Sequence, residues 1–148
     1  MHTIRDRIPT VARLFLGLVF TVFGLNFFLH FLPQPPPPPR AAAFAGALFA
    51  SGYLFPLLKT LEVLAGIALL SGRLVPLALT VLAPIIVNIL GFHLFLAPSG
   101  LPIPLAVLAA ELYLAWTYRE AFAPMLRWRT PLAHAAATEV ERPLHAAA

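Results

Sequence analysis

The side chains able to do chemistry in this sequence are Asn26, His30, Lys59, Glu62, Asn88, His93 and Glu111, each set in a strongly apolar stretch. Glu62 and Glu111 could accept or donate a proton, Lys59 could hold a negative oxygen, and the amides and imidazoles could orient a polar head group. Lys59 and Glu62 stand three residues apart, so on a helix they share a face and can neutralise each other. Charge inside an apolar segment is costly and points to function. The competing reading is structural, with a self-neutralised Lys–Glu pair and with Asn and His as hydrogen-bonding glue between helices. A di-iron bundle would need Glu-x-x-His on two helices. Here Ala65 follows Glu62 and Leu114 follows Glu111 at that spacing, so the signature is absent. His30 and His93 could serve as a bis-histidine haem pair or hold a metal. Cysteine is absent, which removes disulfides, thiolate ligands and thiol redox chemistry from this chain.

The elements that must position these groups are membrane helices. The chain has 148 residues, enough for one domain, of which 60% are hydrophobic and 11% charged, with a mean hydropathy of +0.86. Soluble domains carry about 25% charged residues. The formal charge of +4 does not indicate nucleic acid, because no basic patch interleaves with aromatics and the arginines cluster at the ends of apolar runs. The spacing predicts an all-α, four-helix transmembrane bundle with spans over residues 8–32, 54–70, 74–96 and 103–118. The first run is longer than a signal-peptide core and is read as a retained helix, with Pro9 in its first turn. It stops at Pro33, and the prolines up to Pro39 predict an extended connector. Residues 41–51 predict a short extra helix, interfacial or re-entrant, before the second span. Ser71-Gly72-Arg73 forms a cap and turn, and Pro84 should kink the third span. Residues 1–123 form the membrane domain, and 124–148 read as a disordered cytoplasmic tail.

With four spans, eight of the ten basic residues share one side with both termini, Arg40 and Lys59 being the others. Both termini are therefore expected in the cytoplasm. Counting inward from the outer ends at 1.5 Å per residue puts Asn26 and Lys59 about 9 Å deep, Glu62, Asn88 and Glu111 about 12–14 Å, and the histidines about 3–6 Å. The polar groups then gather in the outer half of the bilayer, where two carboxylates from different helices at one depth exceed what packing requires. That favours a site for a lipophilic or proton-carrying ligand such as a quinone. Asn88 and His93 are about 140° apart on an ideal helix, so both should not face inward without distortion. Gly17, Thr21 and Gly24 form a small-residue stripe that could pack within the monomer or join a second copy.

The stretch Gly52-Tyr53-Leu54-Phe55-Pro56 through Lys59-Thr60-Leu61-Glu62, Gly66 and Gly72-Arg73 resembles the second-span signature of the DoxX family. Phe23-Gly24-Leu25-Asn26 and the four-span length resemble it too, over roughly residues 8–123. The resemblance implies a bacterial inner-membrane protein of four helices, associated with membrane oxidoreductase systems. It gives the fold more firmly than the reaction. The expected function is an accessory subunit of such a system, in contact with its partner subunits, with Lys59, Glu62 and Glu111 lining a quinone-like pocket and Asn26 and Asn88 nearby. A non-enzymatic scaffold is the alternative. A haem or metal protein and a small-solute carrier stand behind these.

Overall fold

A computed structural model describes residues 4–129 of the chain. Its elements are α1 (Ile4–Leu29), α2 (Pro39–Ala50), α3 (Leu54–Ser71), α4 (Val75–Phe95), a single 3₁₀ turn (Pro98–Gly100), α5 (Pro102–Thr117) and α6 (Arg119–Phe122); the described residues contain no strand. Residues to Tyr118 make one compact unit, and α6 belongs to a second that begins at Arg119. The expected tail from residue 130 onward lies outside the described residues.

Local chemistry explains where the helices stop. The sequence predicted a first helix over residues 8–32, but α1 starts at Ile4, which places Pro9 inside it, and ends at Leu29. His30 turns left-handed (φ 51°) while its amide donates to the Asn26 carbonyl at 2.9 Å. Beyond it the Asn26 side chain takes over. Its Oδ1 accepts from the Leu32 amide at 2.6 Å and its Nδ2 donates to the Leu32 carbonyl at 3.3 Å. Pro33 also disfavours helical backbone at Leu32, so the three residues read as helical leave the helix. Pro38 is extended (φ −54°, ψ 151°), and Pro39 is not part of the connector but sits at the start of α2, where a missing N–H costs nothing.

Between α2 and α3 the Ser51 hydroxyl donates to the Leu48 carbonyl and accepts from the Leu54 amide, bridging the break at Gly52 (φ 75°). At the end of α3, Gly72 adopts φ 73° and the Arg73 amide reaches back to the Ala68 carbonyl at 3.2 Å. So short a turn makes α3 and α4 adjacent. α4 runs unbroken through Pro84, which has no N–H to offer the Thr80 carbonyl.

α1 packs on α3, α3 on α4, α4 on α5, and α5 back on α1. Leu16, Phe20, Leu69, Leu79, Leu82, Ile86 and Leu114 fill the space enclosed. The closest approach is between α1 and α3, which run antiparallel. A Cβ on Gly17 would stand 3.0 Å from the Gly66 carbonyl oxygen, and one on Gly24 would stand 2.7 Å from a Val63 methyl. The Gly17–Thr21–Gly24 stripe is therefore occupied within the monomer, against the reading that offered it to a second copy. Gly66 is its counterpart, since small residues on both helices let the backbones meet.

Much of the rest of the surface is apolar. Only 22%, 22% and 33% of the apolar windows of α1, α3 and α4 are buried inside the protein, and Val11, Leu18, Leu64, Leu77 and Val87 point outward. An apolar belt that wide is suited to lipid rather than water. α1 from Arg7, α3 and α4 are long and apolar enough to cross a membrane. α5 is equally apolar, but its 16 residues span only about 24 Å.

Candidate functional site

A cavity of about 540 Å³ lies among α2, α3 and α4. That is within the size range of small-ligand pockets. Its walls are mostly apolar, with Phe44, Ala45 and Leu48 from α2, Phe55 and Leu58 from α3, and Val81, Ile85 and Phe92 from α4. Four polar residues interrupt them: Lys59, Glu62, Asn88 and His93. The cavity exists because the polyproline connector returns the chain to form α2 against α3, while α2 reaches α4 through the Phe44–Phe92 ring contact at 6.1 Å. Phe55 is also stacked on Phe27 of α1 at 5.7 Å, which ties the N-terminal turn of α3 to α1.

Lys59 Nζ donates to both oxygens of Glu62, at 2.9 and 2.8 Å. Glu62 is 4% exposed, and a carboxylate so buried requires a partner. The spacing along one helix supplies it without help from elsewhere. An ammonium has three N–H donors, so one remains available after two are given to Glu62. The wall therefore carries no net charge from this pair but keeps a donor.

His93 sits in the last turn of α4 with its Nδ1 2.8 Å from the Ile89 carbonyl oxygen. A carbonyl can only accept, so Nδ1 carries a proton and donates it to the helix backbone. The ring stands edge-on to Phe92 at 5.2 Å. It also lies over Gly100, where a Cβ would come within 2.7 Å of ring carbon Cδ2. Asn88 and His93 both reach the cavity, although about 140° separates them. No distortion is needed, because the α4 wall runs from Val81 and Pro84 to His93 and covers about half the helix circumference.

The remaining predicted residues lie elsewhere. Glu111 does not join Lys59 and Glu62 at the cavity. It belongs to the buried stripe of α5 with Pro104, Val107 and Leu114, is 5% exposed, and its Oε2 has no hydrogen-bond partner. Counting along the spans predicts equal depth for the two carboxylates, but depth alone does not fix which gap between helices a side chain enters. Asn26 is buried and committed to the Leu32 backbone, so its role is to end α1. His30 is exposed beyond α1 and does not line the cavity. The bis-histidine pairing thus loses one of its members. No group of three or more potential metal ligands converges among the described residues.

Two residues escaped the sequence reading. Arg13 counted there only as an orienting charge, but its Nη1 donates to the carbonyls of Leu69 and Leu70, capping α3 from α1. Its position inside the first apolar run, rather than at the end, was the available signal. Gly100 matters only through the ring above it, and no local pattern marks that. Neither a family model, a curated protein nor a solved structure matches this chain.

Proposed function

We propose that this protein is a four-span membrane protein of the DoxX type that binds a lipophilic ligand with a small neutral head, a quinone above all, as an accessory subunit of a membrane oxidoreductase system. The observation that carries this reading is the cavity among α2, α3 and α4, aromatic and aliphatic on most sides and polar at Lys59, Glu62, Asn88 and His93. An isoprenoid or alkyl chain suits the apolar walls, and a ring carbonyl suits the spare donor of Lys59. The closed sequence of contacts α1–α3–α4–α5–α1 supports counting α5 as a fourth span, since it continues the same apolar belt. Four spans with the arginines on one side favour both termini in the cytoplasm of a bacterial inner membrane. A purely structural scaffold is the second reading, favoured by the self-neutralised Lys59–Glu62 ion pair and the backbone role of Asn26.

The test is lipoquinone content. Protein purified in mild detergent should carry lipoquinone, extractable into organic solvent, well above that of an unrelated membrane protein of similar size. Ala45→Trp, which fills the cavity from α2 and leaves Lys59 and Glu62 untouched, should remove most of it without lowering the thermal midpoint. Equal quinone in the wild type and the unrelated control would favour the scaffold.

A further inference from the structure

We propose that the chain just beyond α6, Met125 to Arg129, lies in the head-group layer of the bilayer and binds anionic phospholipid there. The inference rests on reading α5 as a fourth span and is independent of what fills the cavity. After α6 the backbone folds over at Pro124, where the amides of Met125 and Leu126 both donate to the Phe122 carbonyl, at 3.0 and 3.2 Å. The side chains that follow are uncovered. Leu126 is 82% exposed and Trp128 98%, Met125 is exposed as well, and Arg127 and Arg129 stand exposed on either side of the indole. Three large apolar side chains uncovered within four residues are unfavourable in water.

Position and charge point to lipid as the cover. As a span, α5 covers only about 24 Å of a hydrocarbon core of about 30 Å, so it does not carry the chain past the head groups. Met125 follows Tyr118, the C-cap of α5, by seven residues, which limits its distance from that point to about 25 Å. An indole, with an apolar body and one N–H, suits the boundary between acyl chains and water. Residues 121–129 contain no carboxylate to neutralise Arg127 and Arg129. Their guanidinium groups match phosphate bidentately, and each one near an anionic surface corresponds to about a fivefold gain in partitioning. A zwitterionic head group offers the indole the same boundary but no net charge to draw the arginines.

The chain has two tryptophans, Trp116 in the last turn of α5 and Trp128, so single-tryptophan variants of the full chain report each place separately. The Trp116→Phe variant is placed in nanodiscs of phosphatidylcholine and phosphatidylglycerol, with one lipid or the other, at equal fractions, carrying acyl chains brominated near the head group. Brominated phosphatidylglycerol should quench Trp128 about twofold or more beyond brominated phosphatidylcholine. Arg127→Gln/Arg129→Gln in the same background should erase the difference, and high salt should shrink it, while quenching by brominated phosphatidylcholine persists. In the Trp128→Phe variant, Trp116 should be quenched by either lipid. Equal quenching of Trp128 by the two lipids, a difference that survives loss of both arginines, or no quenching of Trp128 while Trp116 is quenched overturns the assignment and leaves the fourth span standing. Quenching of neither tryptophan removes the fourth span and this inference with it.

Discussion

The Lys59–Glu62 pair allows a quantitative test of how the apolar bundle tolerates charge. The Lys59 side chain is 20% exposed and that of Glu62 is 5% exposed, so the two ions are desolvated unequally. Replacing Lys59 by Met removes both hydrogen bonds that Glu62 accepts from Lys59 and leaves its carboxylate without a counter-ion. Breaking a fully buried pair costs about 3–5 kcal/mol, and the partial exposure of Lys59 reduces the expectation to about 2–4 kcal/mol. Glu62→Leu strands the other ion, but a lysine stem can bend toward the open side of the cavity, so the cost should fall to about 1–2 kcal/mol. The double variant Lys59→Met/Glu62→Leu has no orphaned charge and should lie within about 1 kcal/mol of the wild type. The two single losses then sum to far more than the double loss. Helical circular dichroism during reversible unfolding in mixed micelles of increasing denaturing-detergent content measures all four proteins on one scale. A Lys59→Met loss below about 0.5 kcal/mol, or a double variant that loses the sum of the singles, would refute the claim that the pair is buried and mutually dependent.

Other expectations follow from the packing. Gly66→Val should lower stability by about 1–3 kcal/mol, because a Cβ there lies 2.8 Å from the Thr21 backbone nitrogen and 3.0 Å from the Gly17 carbonyl oxygen; Gly91→Ala, with nothing within 4 Å, should be neutral or slightly stabilising in the same unfolding assay. Arg13→Met should cost about 1.5–3 kcal/mol by leaving the last carbonyls of α3 uncapped, with faster hydrogen exchange confined to the C-terminal turn of that helix. Glu111→Leu should gain about 1–2 kcal/mol by removing a buried oxygen that has no partner, and a lower thermal midpoint would instead show that this carboxyl is satisfied by something bound.

The sequence alone determined the kind of environment and most of the helix bounds. Apolar runs separated by Pro- and Gly-bearing turns leave few alternatives, because backbone polar groups in lipid must be satisfied within a helix. The second, third and fourth predicted spans agree with α3, α4 and α5 to within one residue at either end. The pairing of Lys59 with Glu62 was equally legible, since an i,i+3 spacing is a local property of one helix. Other features depended on neighbours far along the chain. The end of α1 is set by an Asn26 side chain reaching six residues ahead, which helical periodicity does not register. The Gly17–Thr21–Gly24 stripe was open to two uses until α3 was seen to fill it. Above all, depth in the membrane is one-dimensional and can be counted from sequence, whereas the gap between helices that a side chain enters is an angular property of the assembled bundle. For that reason Glu62 and Glu111 shared a predicted layer and yet part company in the fold: one lines the cavity beneath α2, while the other lies on the buried stripe of α5.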